Sequence, residues 1–425
     1  AARDLVGVSG RRSEPGLLAL PSSTADVAAV LSACSDAGVP VIPLGGGTGL
    51  VDGTQADVGQ VVISLERLRG VESVDPVSKT MTVGAGTVLA EVHDAAAAHG
   101  LSFPVDLGAR GSAQLGGLIA TNAGGNGVVR FGMMRENVLG LEAVLADGTI
   151  LESMNAMVKD NTGYDLKQLF FGSEGTLGVV TKAVLRLRPA PASRHTALLA
   201  VPSFEAMTRL LNELEGRLGG SLSAFEALWL SFYEVVLASG RHQAPLPPES
   251  PLYALVEAQG GDPDRDEERF HAAIQAASED GLVTDAVLAM SAADRERLWA
   301  IRDDIPALVE AVGTKLNYDI SLPLPAMEGY LATIGETLGS LIVFGHLGDG
   351  NLHVIPADGV YEDEANQVVY DALVEYGGSV SAEHGIGEVK RPYLDRSRTP
   401  EELAAMRAIK TALDPKGIMN PGKVL

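Results

Sequence analysis

The sequence predicts an α+β fold in two parts, on three observations. Apolar strand-like runs within residues 1–189 empty into glycine loops. Beyond about residue 192 the pattern turns to amphipathic helices mixed with apolar strands, which fits an antiparallel sheet with helices on one face. The chain then ends in a charged helix and a Pro/Gly loop, and no internal repeat of fixed period is present.

In order, Leu17 to Leu20 reads as a strand and Ser22-Ser23-Thr24 as N-caps of a helix to about Ala37, with Gly38 as its C-cap. Val39 to Leu44 is a strand that runs into Gly45-Gly46-Gly47-Thr48-Gly49. Such a loop lets backbone N–H groups grip a phosphate-bearing cofactor. Its spacing fails the dinucleotide fingerprint and no Gly-Lys-Ser/Thr follows, so nicotinamide and Walker-type sites are excluded. An ordinary glycine turn stays open here. The second glycine stretch, Pro104-Val-Asp-Leu-Gly-Ala-Arg-Gly-Ser112 through Gly116-Gly117 to Gly125, weakens that alternative. Small residues suit backbone lying against a pyrophosphate or a flat ring, and Ser112, Thr121 and Asn122 offer polar side chains to phosphate.

Val138 to Leu145 and Ile150 to Met157 read as strands, as does Val179 to Leu187 after the loop Gly172-Ser-Glu-Gly-Thr-Leu-Gly178. Helices are expected at Phe204 to Leu218, Arg265 to Ser278 and Ala292 to Val312, and strands near Leu252 to Glu257 and Asn317 to Leu322. Gln243 to Pro251 is proline-rich and reads as a surface loop. Pro400 to Leu413 is a helix with acids in its first turn and Lys410 in its last, matching the helix dipole.

Bulk properties narrow the function. The net charge of -23 over 425 residues argues against nucleic acid or an anionic membrane as partner. A single cysteine, Cys34, rules out an intramolecular disulfide and a cysteine-based metal site. No apolar run spans a bilayer and no signal peptide is evident, so a cytoplasmic location is expected. The opening Ala1-Ala2-Arg3 lacks an initiator methionine, so the numbering is read as beginning inside a longer chain.

The chemistry concentrates late. Leu341 to Phe344 and Leu352 to Ile355 read as short strands joined at Asp349-Gly350, a two-residue hairpin signal. Folding about that turn sets His346 opposite His353, with Cβ atoms about 4.5–5.5 Å apart. Two imidazoles at that spacing suit one metal ion, and two satisfied histidines of a core remain the plain alternative. Glu383-His384, after a further helix, offers a third ligand and a base; two His and a carboxylate with an open position is a catalytic zinc arrangement.

Taken together these motifs resemble the flavoproteins of the vanillyl-alcohol oxidase and p-cresol methylhydroxylase superfamily, and within it the FAD-linked D-2-hydroxyacid dehydrogenases. The residues that carry the likeness are Pro43 to Gly49, Gly116 to Gly125, Asp160-Asn-Thr-Gly-Tyr-Asp-Leu166, Gly172 to Gly178, His346 to His353, Glu383-His384-Gly385 and Asn420-Pro-Gly-Lys423, in that order over nearly the whole chain. The resemblance implies a two-subdomain FAD-binding domain of the p-cresol methylhydroxylase type (1–189), a substrate cap of antiparallel sheet and helices (190–383), and a C-terminal segment (384–425) packing back on the FAD domain. FAD contacts are then expected from Pro43, Gly45, Gly46, Gly47, Thr48, Gly49, Leu50, Pro104, Asp106, Gly108, Ser112, Gly116, Gly117, Thr121, Asn122, Glu174, Gly178, Val179 and Asn420. Members with covalent flavin carry a His at or near Thr48; here it is Thr, and dissociable FAD is expected.

Carried over in the same way, His346, His353 and Glu383 resemble zinc ligands, His384 the base, and Arg302 the guanidinium that pairs with a substrate carboxylate, with Asn317 beside it. The roles are chemically coherent: a neutral imidazole accepts the hydroxyl proton near pH 7, and an Arg fork holds a carboxylate bidentately. Without the resemblance, Arg302 reads as a solvated helix residue paired with Asp303 or Asp304. Asn317 stands where a Lys is common, Ile355 where an Asn is, and Pro306 where a Thr is, so a smaller or more apolar acid is as compatible as 2-hydroxyglutarate. The expected activity is oxidation of a D-2-hydroxy acid such as D-lactate or D-2-hydroxyglutarate, electrons leaving to an electron-transfer flavoprotein, a quinone or a cytochrome. A homodimer is left open. The rivals are a flavin oxidase using oxygen on another alcohol, and a non-catalytic flavoprotein subunit of a glycolate-oxidase-like complex.

Overall fold

The computed structural model describes residues 5–8, 10–313, 316–356 and 360–425, so Ala1, Ala2 and Arg3 lie outside the described residues. The chain forms two compact units, one of Ala1–Gly125, Gly132–Ala190 and Glu383–Leu425, the other of Asn126–Phe131 and Pro191–Ala382.

In the first unit a parallel sheet runs Leu17–Ala19, Val61–Ser64, Val41–Leu44, and an antiparallel sheet runs Ile150–Ser153, Val138–Val144, Val179–Arg186, Thr80–Gly84, Val71–Asp75. The helix Thr24–Ala37 begins where Ser23 accepts from the Asp26 amide and ends at Gly38, whose φ of 65° a side chain would strain. It packs Val27 and Leu31 into the core that Val41, Ile63, Val83 and Leu141 share. The tail extends the parallel sheet: the Val41 amide donates to Ile418 O and the Asn420 amide to Val41 O, both 2.8 Å. Lys410, in the last turn of Pro400–Leu413, donates from Nζ to Thr176 O and Met419 O, both 2.7 Å.

The second unit is built on a seven-stranded antiparallel sheet in the order Asp285–Leu288, Ser193–Val201, Leu252–Gly260, Leu222–Trp229, Leu341–His346, Asn351–Pro356, Tyr318–Ser321. Helices Phe204–Leu218 and Pro263–Glu279 follow the sequence expectation closely.

Four expectations are corrected. Ser193–Val201 and Leu222–Trp229 are long strands that sequence reading passed over. The apolar run around Leu222–Trp229 merges with the helix Leu230–Ala238, and periodicity alone does not separate them. The expected helix Ala292 to Val312 is two, Ala292–Asp303 and Ile305–Val312. Pro306 cannot continue a helix, and the Asp304 carboxylate instead accepts from the Ala307 amide at 3.1 Å to start the second. The strand Ile150–Ser153 stops short of Met157, because Asn155 turns the chain away by accepting from the Met157 amide at 3.3 Å.

The fourth correction bears on the site. The connection at Asp349-Gly350 is not a two-residue turn: Leu347–Asp349 forms a 3₁₀ turn, and the ladder pairs Phe344 with His353. Gly345 makes this possible, since a Cβ there would run into the Asn351 carbonyl.

Candidate active site

Slipping the register by two residues keeps side chains on the same sheet face. His346 is therefore a diagonal rather than a direct neighbour of His353, with ring centroids 6.1 Å apart at 73°. Both rings are buried, and each offers a nitrogen within 4.8 Å of the other's. His353 stacks on Phe344, its direct partner, at 4.7 Å.

The strands on either side place a carboxylate beside each ring. Glu226 is paired across the ladder with His346, and Asp319 with His353. A row of four residues thus crosses four adjacent strands on one face. His346 Nδ1 and Glu226 Oε1 are 2.6 Å apart, and Arg302 donates from Nε to Glu226 Oε2 at 2.9 Å. Arg302 also donates from Nη2 to His346 Nε2 at 3.0 Å. A guanidinium only donates, so Nε2 accepts and Nδ1 carries the proton given to Glu226. Burial alone would raise the Glu226 carboxyl, but its interactions with His346 and Arg302, hydrogen bonds from both included, outweigh it and hold it below the usual range.

Arg302 is only 7 % exposed, so it is not solvated as that reading had it, although the expected pairing with Asp303 is present, Nη1 to Oδ1 at 3.6 Å. It lies in the last turn before the break at Asp304, and its guanidinium sits 5.5 Å from the Phe344 ring centroid. Asp319 is fully buried; its oxygens accept from Asn351 Nδ2 at 2.9 Å and Ser381 Oγ at 3.3 Å. Asn317, two residues earlier, is exposed and just outside the strand.

In the first unit, the glycine loops border a cavity of about 90 Å³. Of the residues expected around a cofactor, Pro43, Gly45, Gly49, Gly116, Gly117, Thr121, Glu174, Gly178 and Val179 line it, and so does His384. A Cβ added at Gly49 or Gly117 would meet no protein atom within 4 Å, so their missing side chains leave room rather than relieve packing. Two buried amide oxygens, Gln114 Oε1 and Asn420 Oδ1, have no hydrogen-bond partner among the described residues. Asn420 Nδ2 bonds the carbonyls of Gly53 and Glu174, both on the cavity wall, at 3.0 and 2.7 Å. Open glycine backbone on this wall leaves room for a flat cofactor to lie against it.

The other expected cofactor residues are placed differently. Gly46 and Ser112 approach backbone to backbone, where a Cβ on Gly46 would strike Ser112 O. Gly47 takes a φ of 68° beside Thr48, and Leu50, Gly108 and Ser112 are exposed. Pro104 is half-buried on the same stretch, and the Asp106 carboxylate pairs with Arg110 at 2.9 Å. Asn122 is used internally: its Oδ1 accepts from the Arg135 amide at 3.0 Å.

His384 is set by its loop. Glu174, at a φ of 49°, accepts from the Ile386 and Gly387 amides at 2.6 and 2.8 Å. Burial pushes its carboxyl above the ordinary range, against those hydrogen bonds and the nearby charge of Lys390. Lys390 is itself buried. Glu383 and His384 open the last segment of this unit, directly after Ala382 ends the other.

Glu226 and Asp319 were not marked as site residues by sequence reading. The signal for Glu226 was a lone acid inside the apolar run from Leu222 to Leu230.

Comparison with known proteins gives the family. Residues 190–424 match the family of FAD linked oxidases, C-terminal domain, and residues 15–153 match an FAD binding domain. The D-2-hydroxyglutarate dehydrogenase of Xanthomonas citri pv. viticola is 41% identical over 96% of this chain and 89% of its own. The mitochondrial D-2-hydroxyglutarate dehydrogenase of Bos taurus is 38% identical over 97% of this chain and 77% of its own. A putative mitochondrial D-lactate dehydrogenase of Schizosaccharomyces pombe is 36% identical over 97% and 82%. Among solved structures, an alkyldihydroxyacetonephosphate synthase superposes with a TM-score of 0.71 at 17% identity, over 95% of this chain and 75% of that one, a likeness of fold. The chain belongs to the FAD linked oxidases, as an FAD-dependent oxidoreductase related along nearly its full length to D-2-hydroxyacid dehydrogenases.

Proposed function

We propose that this flavoprotein oxidises a D-2-hydroxy acid, D-2-hydroxyglutarate or D-lactate, to the 2-oxo acid, with dissociable FAD and a zinc ion. The observation that carries this reading is the gathering of Arg302, His346 and His353 on one sheet face, two nitrogen donors beside one carboxylate-binding fork. When bound, FAD supplies a hydride acceptor and zinc a Lewis acid.

The chain's own residues do the rest. The Arg302 guanidinium orients the substrate carboxylate, and Glu226 anchors it by accepting from Nε. His346 and His353, with Glu383, are the proposed zinc ligands; an N₂O donor set with a free position suits that ion. His384, on the cavity wall, is the group that takes the hydroxyl proton. The glycines of the first unit hold the cofactor through backbone. The electron acceptor is proposed to be an electron-transfer flavoprotein, a quinone or a cytochrome, because the relatives are dehydrogenases by name.

A panel of D- and L-2-hydroxy acids, followed by loss of flavin absorbance without oxygen, tests this. Bleaching by D-2-hydroxyglutarate or D-lactate with slow reoxidation in air is expected. Rapid peroxide formation favours the oxidase reading, and flavin that no 2-hydroxy acid bleaches favours a non-catalytic subunit.

A further inference from the structure

The sheet of the second unit ends at the strand Asp285–Leu288, and beside that edge lies a further cavity of about 320 Å³. None of the residues of the site described above lines it. Its size is at the lower end of the range that small-molecule pockets occupy, roughly 300–1,000 Å³. Val287, Ala289 and Leu298 supply apolar lining, and two guanidinium groups, Arg241 and Arg297, face it against one carboxylate, Asp294. The chain carries a net charge of -23, so its overall field repels anions, and this concavity is a place where the local charge has the opposite sign.

Both guanidinium groups are held without being used up. Arg241 donates from Nη1 to Asp304 at 3.1 Å and from Nη2 to the exposed Glu310, and its Nε–H meets no acceptor among the described residues. Arg297 is exposed and, among the described residues, pairs only with Asp294 in its own helix. Exposed ion pairs are weak, and a guanidinium carries five N–H donors in a fork that fits a carboxylate. Asp304 also holds the His242 ring at 2.8 Å and the Ala307 amide at 3.1 Å, so the break between the two helices stays capped when Arg241 turns to a ligand. We propose that this cavity is a second binding site, for a small organic carboxylate whose carbon body lies on the Leu298 side and whose charge is met by Arg241 and Arg297.

The test uses the FAD-loaded full chain carrying Arg302→Met, so that binding at the proposed substrate site does not mask the cavity. Radiolabelled glutarate, a dicarboxylate with no hydroxyl to oxidise, is titrated by equilibrium dialysis at low ionic strength. One saturable equivalent is expected. Arg241→Gln and Arg297→Gln, each added to that chain, should weaken it about tenfold at unchanged flavin content, the worth of a charge-assisted hydrogen bond. Arg297→Gln is the variant that does not threaten folding, because it removes only an exposed pair within one helix. Absence of saturable binding at millimolar glutarate overturns the site, and so does binding that Arg297→Gln leaves within twofold. Inorganic phosphate is then used as competitor. Displacement only by a large excess of phosphate supports a carboxylate on a carbon body. Displacement by an equal concentration overturns that class.

Discussion

Glu174 holds the His384 loop at a cost in stability that pH should reveal. Its carboxyl accepts from the Ile386 and Gly387 amides, yet burial outweighs these bonds and raises it above the ordinary range. A carboxyl raised on folding binds its proton more tightly in the native state. Its contribution is therefore complete below the unfolded value, about pH 4.3, and is lost as pH climbs through the folded value. Glu174→Gln is isosteric with the protonated form and cannot ionise. At pH 4 the variant should lie within about 1 kcal/mol of the parent, the worth of one neutral hydrogen bond. Above that the variant should gain on the parent at up to about 1.4 kcal/mol per pH unit until the raised value is passed. Urea unfolding of both proteins in excess FAD, at half-unit steps from pH 4 to pH 8, gives the difference curve, in which distant groups cancel. A curve that falls with pH would mean that the two amides stabilise the carboxylate more than burial opposes it, and would refute the reasoning.

Two further substitutions probe the rest. Gly117→Leu should fold, because leucine favours the helix Leu115–Ala120 and a Cβ there meets no protein atom within 4 Å. It should nevertheless purify with little flavin; full flavin absorbance at normal helicity would contradict the placing of the cofactor. Gly345→Ala drives a methyl into the Asn351 carbonyl and should cost about 1–3 kcal/mol in urea unfolding, while loosening zinc by disturbing the register that sets His346 to His353. Unchanged midpoint and unchanged zinc affinity would show that the approach at Gly345 does not set that register.

Local signals were legible wherever one element decides its own ends. Ser23 and Gly38 fix the first helix, and Thr399 with Glu402 caps the helix Pro400–Leu413 where the charge pattern placed it. The cavity glycines and the pair of histidines were legible because few other residue types do such work. What failed depended on partners distant in sequence. Leu222–Trp229 is a strand because Leu252–Gly260 and Leu341–His346 lie on either side of it, and nothing in its own apolar run says so. Glu226 was missed with it. The ladder between Phe344 and His353 is set by the crowding at Gly345, which outweighs the turn preference of Asp349-Gly350.

His346 and His353 are proposed to seat a metal needed for substrate oxidation and not for holding the flavin. Stopped-flow flavin reduction by D-2-hydroxyglutarate and by D-lactate, without oxygen, should be measured before chelation, after chelation and after zinc is returned. Reduction that disappears with the metal, returns with zinc and leaves flavin content constant is the predicted result. Reduction at the full rate in metal-free protein would contradict it.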